Sequence, residues 1–263
     1  MIKIENYEVV GWEAAIRGMR NPMNSWDKSD SEFNRDPDYG CSGTCPCEDM
    51  GVNCDQCFVG PNDHDLMMRL NKAGSDHRKY IRYLEVYVDI TAPLYWWKQF
   101  KTYRHGRKFQ DDDDIFEYDD DILEYHIETN SCSTMHRIHE KEFTLDDFSH
   151  EHLMTAHADS LPIEIHAGRV TSPLGILQDT IFILNKCRDK FLETKDKKYW
   201  WQMIQLLPNS YNQKRTVKLS YECLARMYHS RKNHKQDEWR EFCEWIETLP
   251  YSEIITGERE ESK

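Results

Sequence analysis

The clearest pattern in the chain is the alternation in "YLEVYVDITAP". Leu84, Val86, Val88 and Ile90 point one way, and Glu85, Tyr87, Asp89 and Thr91 the other. A period of two puts one strand face on a core, so a β-strand is predicted here. Pro93 ends it, and its fixed φ suits the first turn of the helix that residues 94–104 fit. Earlier, "YEVVGW" runs into "EAAIRGM", which predicts a short strand and then a helix over residues 5–20. "PNDHDLMMRLNKAGS" predicts a helix with Asn62 or Asp63 as N-cap and Gly74 at its C-terminal stop. Further on, Leu174, Leu177, Ile181 and Leu184 share one face of a predicted helix. "KKYWWQMIQLLP", "TVKLSYECLARMYHSR" and "QDEWREFCEWIETLP" predict three more. Together these elements predict an α+β fold, rich in helix, with a small antiparallel sheet.

Aromatic content changes what this pattern can bury. The chain has 263 residues, 39% of them hydrophobic, but these include 8 Trp, 14 Tyr and 10 Phe. Each buried aromatic removes about 150–250 Å² from water, enough for a sizeable core. One domain over residues 1–263 is expected. It carries a Cys-rich insertion at about 38–60 and an acidic, solvated insertion at about 108–128. Net charge is −13, and eight of the acids lie in "DDDDIFEYDDD". A balance this acidic argues against broad nucleic-acid binding, which needs a basic face for phosphates. Small anionic ligands stay open, because "PLYWWKQFKTYRHGR" concentrates Lys98, Lys101, Arg104, His105 and Arg107. No run approaches the roughly 20 apolar residues of a membrane span. The first residues lack a secretory pattern, so a cytoplasmic protein is expected.

Five cysteines cluster in "CSGTCPCEDMGVNCDQC": Cys41, Cys45, Cys47, Cys54 and Cys57. Cys54 and Cys57 form a C-x2-C half-site for structural zinc; the other half is atypical, and one thiol is spare. The alternative is a thiol-rich loop. Cys132, Cys187, Cys223 and Cys243 are scattered and read as small buried hydrophobes. His136, His139, His150, His152 and His157 permit metal ligation by spacing, but no HExxH pattern accompanies them, and solvated or internally bonded histidines are the simpler reading. Walker, G-x-S-x-G and G-x-G-x-x-G motifs are absent.

Taken in order, a helix closing on "AGSDH", the strand ending in Ala92-Pro93, "LYWWKQFKTYR" and "NSCSTMH" resemble the flavin-dependent thymidylate synthase family, ThyX. His77 falls on the first His of that family's G-H-x-x-P-F-E-H turn. Lys98 and Gln99 sit on R-Q, and Thr102, Tyr103 and Arg104 on R-H-R. Asn130, Ser131, Ser133 and Met135 occupy the Asn, Glu, Ser and Arg of N-E-x-S-x-R-Y. In the C-terminal half, Ser220, Glu222 and Arg231 fall on the Asn and Arg of N-x-R-S-L and the Arg of L-R. His234, Gln236 and Glu238 match H-A-Q-x-E after one slip. The likeness spans most of the chain in order.

The resemblance implies methylation of dUMP to dTMP. Methylenetetrahydrofolate would be the carbon donor, reduced FAD the hydride source and NADPH the reductant of the flavin. It implies a homotetramer. It places Gln99, Arg104, Ser133 and Arg231 at the nucleotide, and His77, Tyr103, Arg104 and Asn130 at the flavin. It also marks departures: Ser131, Met135, Ser220 and Glu222 replace charged or polar family residues, with Arg107, Arg137 and Arg215 as nearby bases. A member that keeps the scaffold as a non-catalytic nucleotide-binding or interaction protein, with a structural zinc loop, is the rival expectation.

Overall fold

The computed structural model describes residues 2–33, 53–54, 57–106, 123–124, 127–155, 163–165 and 169–257. The alternating segment forms strand β5 (Glu85–Pro93), and Leu84, Val86, Val88 and Ile90 are at most 1% exposed. The other strands are β1 (Lys3–Val10), β2 (Glu32–Phe33), β3 (Asn53–Cys54), β4 (Cys57–Phe58), β6 (His105–Gly106), β7 (Leu123–Glu124), β8 (Glu128–Ser131), β9 (Ile163–Ile165), β10 (Arg169–Thr171) and β11 (Asn212–Ser220). The helices are α1 (Trp12–Arg20), α2 (Pro61–Lys72), α3 (Leu94–Phe100), α4 (Pro173–Thr194), α5 (Lys197–Leu206), α6 (Tyr221–Arg231), α7 (Asp237–Glu247) and α8 (Glu253–Thr256). The fold is α+β and helix-rich, as the sequence predicts.

Five strands form one sheet in the order β3-β1-β5-β11-β8. β5 and β11 run antiparallel. Tyr221 N donates to Leu84 O at one end of the pair, and Leu94 N to Tyr211 O at the other. The short β3 joins the edge parallel to β1, pairing Asn53 with Glu8 and Cys54 with Val9.

Two local expectations are corrected. The helix predicted over "TVKLSYECLARMYHSR" begins only at Tyr221; Thr216–Ser220 belongs to β11. Gln213, Arg215, Val217 and Leu219 are buried in alternation, a strand period that the following helical pattern masks. Ser220 then turns the chain as N-cap of α6, its side chain accepting from Cys223 N at 3.4 Å. The N-cap of α2 is Gly60, with Pro61 behind it, and neither Asn62 nor Asp63 caps the helix. Asp30 does so from a distance: its carboxylate accepts from Asn62 N at 2.9 Å and from Asp63 N at 3.1 Å. Gly74 does close the helix, at φ 99°.

Asp63 has a different task. It is fully buried and accepts from Arg20 Nε at 2.5 Å, Ser29 Oγ at 2.7 Å, Ser31 Oγ at 2.6 Å and the backbone of Asp30 and Ser31 at 3.1 Å. One carboxylate thereby ties α1, residues 29–31 and α2 together. Between β1 and α1, Gly11 sits at φ 97°, where a β-carbon would run into the carbonyl oxygen of Tyr83, so glycine is required there.

The chain divides into two compact units: Thr91–Gln99 with Ser131–Arg215, and Ile2–Ile90 with Phe100–Asn130 and Thr216–Lys263. In the first, Leu177, Leu184 and Met203 of the α4–α5 hairpin pack with Ile138, Phe143 and Phe148. In the second, Trp12 meets Tyr221 and Tyr251 edge to face, at 5.8 and 5.1 Å between centroids.

Cys223 and Cys243 are buried as predicted, and burial pushes both thiols up to about 12. Cys132 is exposed, against the same expectation, just past the end of β8; Cys187 is half-buried, packed at the margin of the core around Leu177 and Leu184. No helix among the described residues is long and apolar enough to cross a membrane.

Candidate functional site

In the second unit the structure brings two sequence-predicted site residues together. After α3 the chain tightens into a 3-10 turn, Lys101–Arg104, that places Tyr103 against the end of α6. Arg231, in the last turn of α6, donates from Nε to the Tyr103 hydroxyl at 2.6 Å. Its guanidinium carbon lies 5.5 Å from the Tyr103 ring centre and 4.9 Å from that of Trp239 on α7, within cation–π range. Tyr103 is 9% exposed and Trp239 fully buried. Behind them Trp239 packs on Phe242, and Phe242 on Phe100, both edge to face. An aromatic wall therefore holds a half-buried cation.

The next turn adds His234, whose N donates to Arg231 O at 2.8 Å and whose Nδ1 accepts from Gln236 N at 3.2 Å. Burial, with the charges of Arg231 and Arg240, holds the His234 imidazole below its usual value of 6.5, so it is neutral at pH 7. Arg240 donates to His234 O and Lys235 O and pairs with Asp237. Arg231 is thus the cation of this locus held against aromatic faces. Its planar fork suits a phosphate or another oxyanion. Trp239 carries no motif signal; the apolar stripe of "DEWREFCEWIE" marks it only as core.

Glu222, which stands where the family motif has Arg, is 2% exposed and pairs with Arg78 at 3.3 Å. Arg78 Nε and Glu222 Oε2 have no hydrogen-bond partner among the described residues; these are the atoms a bidentate pair would join. The reversed charge is therefore compensated and leaves no lone buried anion near the start of α6. In this respect the locus fits a phosphate-bearing ligand such as a flavin dinucleotide or a nucleotide.

His77 is exposed in the turn after α2, its N donating to Gly74 O at 3.1 Å. Asn130 is exposed on β8. For Arg104 the backbone is described, and its side chain lies outside the described residues.

In the first unit, Gln99 is half-buried on α3, beside the buried Trp96 and Trp97. Trp97 Nε1 donates to Gln213 O at 2.9 Å. The Arg215 guanidinium lies 4.3 Å over the Trp97 ring, and its Nε and one terminal nitrogen share Gln213 Oε1 at 3.1 and 2.8 Å. Gln213 Nε2 donates to Cys132 O at 2.6 Å, which anchors the strand end just before Ser133. Ser133 is exposed, and its Oγ accepts from Met135 N and Arg137 N at 3.3 and 3.4 Å, leaving its hydroxyl proton to donate outward. Of the nearby bases, Arg215 is buried in this stack and Arg137 pairs with Glu140 at the surface. Lys98 reaches Asn209 Oδ1 at 2.8 Å. Sequence reasoning missed Gln213 as the bracket between α3 and residue 132.

Cys41, Cys45 and Cys47 lie outside the described residues, as do Arg107, His157 and most of the acidic segment. Cys54 and Cys57 are described only as backbone, in β3 and β4. Among the described residues, no group of three or more His, Cys, Asp or Glu side chains could hold a metal ion.

These elements make up the fold of the flavin-dependent thymidylate synthases. Two solved structures carry that statement. One is the thymidylate synthase ThyX of Helicobacter pylori, in complex with FAD and dUMP. It superposes with a TM-score of 0.55 at 12% identity, over 96% of this chain and 94% of that chain. The other is the UMP/dUMP methylase PolB of Streptomyces cacaoi, bound with 5-Br dUMP. Its TM-score is 0.52 at 11% identity, over 98% of this chain and 94% of that chain. No family model and no curated protein matches the sequence.

Proposed function

We propose that the chain binds a pyrimidine nucleotide and FAD and methylates dUMP to dTMP, with methylenetetrahydrofolate as carbon donor and NADPH as reductant. The observation that carries this reading is Arg231, held against Tyr103 and Trp239 on a scaffold whose solved relatives in fold are bound to dUMP or a dUMP analogue. Arg231 takes the phosphate; in the first unit, Gln99 and Ser133 carry hydrogen-bonding groups of the kind a nucleotide accepts. His77, Tyr103, Arg104 and Asn130 are the residues toward the flavin. FAD, when bound, supplies the hydride; the chain's own residues bind and orient.

A flavin spectrum with and without dUMP tests this. The expected result is a yellow protein, or one that gains a flavin band with added FAD, and that melts at higher temperature with dUMP. A colourless protein with no band on addition of FAD and no shift with dUMP rejects it.

A second reading is favoured by the Arg78–Glu222 pair, which turns a family ligand position into a buried ion pair. On it, the chain keeps nucleotide binding and has lost the reaction. Methylene transfer to dUMP in a purified assay decides against it.

The expected homo-oligomer is also part of the proposal. On the outer side of α4, Ile176, Phe182 and Ile183 are 44, 61 and 47% exposed, with Asp179 and Lys186 seven residues apart among them. Two copies laid antiparallel across this stripe would set each Asp179 against the other's Lys186 and cover the three apolar side chains. Phe182→Glu should lower the mass measured by sedimentation equilibrium; an unchanged mass rejects this face.

A further inference from the structure

We propose that Tyr103 is a positioning residue for Arg231: it serves ligand binding by fixing the guanidinium. The inference rests on the reading of Arg231 as the phosphate-binding residue.

An arginine side chain has five N–H donors in one plane and loses about 2 kcal/mol of rotamer freedom when it is held. Here that cost is met before any ligand arrives. The Nε–H is committed to the Tyr103 hydroxyl at 2.6 Å. The rings of Tyr103 and Trp239 lie 5.5 and 4.9 Å from the guanidinium carbon, on neighbouring sides of it. Those rings are themselves immobile: their centroids are 5.8 Å apart, Tyr103 is 9% exposed, and Trp239 rests on Phe242.

With Nε taken, the terminal nitrogens are left to receive an incoming oxyanion. They form the end-on edge of the fork, which grips two oxygens at once. The bond also gives the Tyr103 side chain a defined use at a position where the family motif carries His. The tyrosine hydroxyl, reaching from the turn after α3, meets Nε at 2.6 Å, and phenylalanine has no atom there. Pre-organisation of this kind acts on affinity by removing the ordering cost of binding.

The test is Tyr103→Phe, which keeps the ring and removes the hydroxyl, titrated with dUMP by calorimetry. Affinity is expected to fall about tenfold, read at a temperature where the ligand-free wild type and variant are both fully folded. Arg231→Lys, which keeps the charge and loses the planar fork, is expected to bind no better than Tyr103→Phe, and Tyr103→Phe should weaken it no further. Tyr103→Phe binding dUMP as tightly as the wild type overturns the proposal.

A second readout is independent of the nucleotide. The Nε–H signal of Arg231 in a nitrogen–proton NMR spectrum should be protected from exchange in the wild type and lost in Tyr103→Phe. A signal unaltered by the substitution overturns the positioning role. A wild type that binds no dUMP defeats the functional reading, and the Nε–H signal then decides the role of Tyr103 alone.

Discussion

Asp63→Ala is expected to cost the fold about 3–5 kcal/mol, the range for removing one partner of a buried ion pair. Domains of this kind have about 5–15 kcal/mol in total, so a large fraction of the molecules should unfold at moderate temperature. The substitution leaves Arg20, 4% exposed, with its charge uncompensated, and takes the acceptor from two serine hydroxyls and two backbone amides. Asp63→Asn separates charge from shape: the amide keeps one acceptor oxygen and loses the anion.

The network also sets a pH dependence. Burial pushes the Asp63 carboxyl up, but hydrogen bonds from Ser31, Ser29 and Arg20, with the charge of Arg20, outweigh it and leave the group below its usual 3.8. A carboxyl depressed in the folded state contributes fully above its unfolded value and loses that contribution as pH falls through the folded one. Urea midpoints between pH 6 and pH 2 should therefore fall less steeply for Asp63→Asn than for the wild type. Equal slopes would remove Asp63 as the source.

The second large effect falls on binding. Arg231→Ala should weaken dUMP by about 1.5–3 kcal/mol, the value of a hydrogen bond to a charged group, or roughly 10–150-fold. The loss should shrink as salt is raised in both proteins, since a half-buried cation is partly screened. Deoxyuridine, which lacks the phosphate, should bind wild type and variant alike. If Arg231→Ala weakens deoxyuridine as much as dUMP, the residue acts on the base or sugar and its assignment to phosphate is wrong.

Much of this architecture was legible as periodicity. β5 declares itself because only one of its faces meets a core, so the sequence must alternate. The helix α7 shows a single apolar stripe for the same reason, with Trp239, Phe242, Cys243 and Ile246 buried. β11 hides because two of its four inward positions, Gln213 and Arg215, are polar and are buried through hydrogen bonds and stacking on Trp97. A hydrophobicity pattern cannot register burial achieved that way.

The site was legible only in part. Arg231 and Tyr103 were both singled out, from motif order, yet as contacts of two different ligands. That they bind each other depends on the 3-10 turn and on the end of α6, 128 residues apart in chain for the Tyr103–Arg231 bond. Trp239 looked like core and is core; its second use as a cation's wall has no local sequence signature. The compensation of Glu222 by Arg78 is equally non-local, joining residues 144 apart.

The order of strands in the central sheet has a consequence for how the molecule is made. β5 lies between β1 and β11, and more than a hundred residues separate its end from the start of β11. At about 5–20 residues per second, a ribosome needs roughly ten seconds to deliver that partner. For that interval a nascent chain presents an unpaired strand edge with one apolar face, the kind that templates pairing between chains. Until β11 emerges, that edge of β5 is open to pairing with another chain.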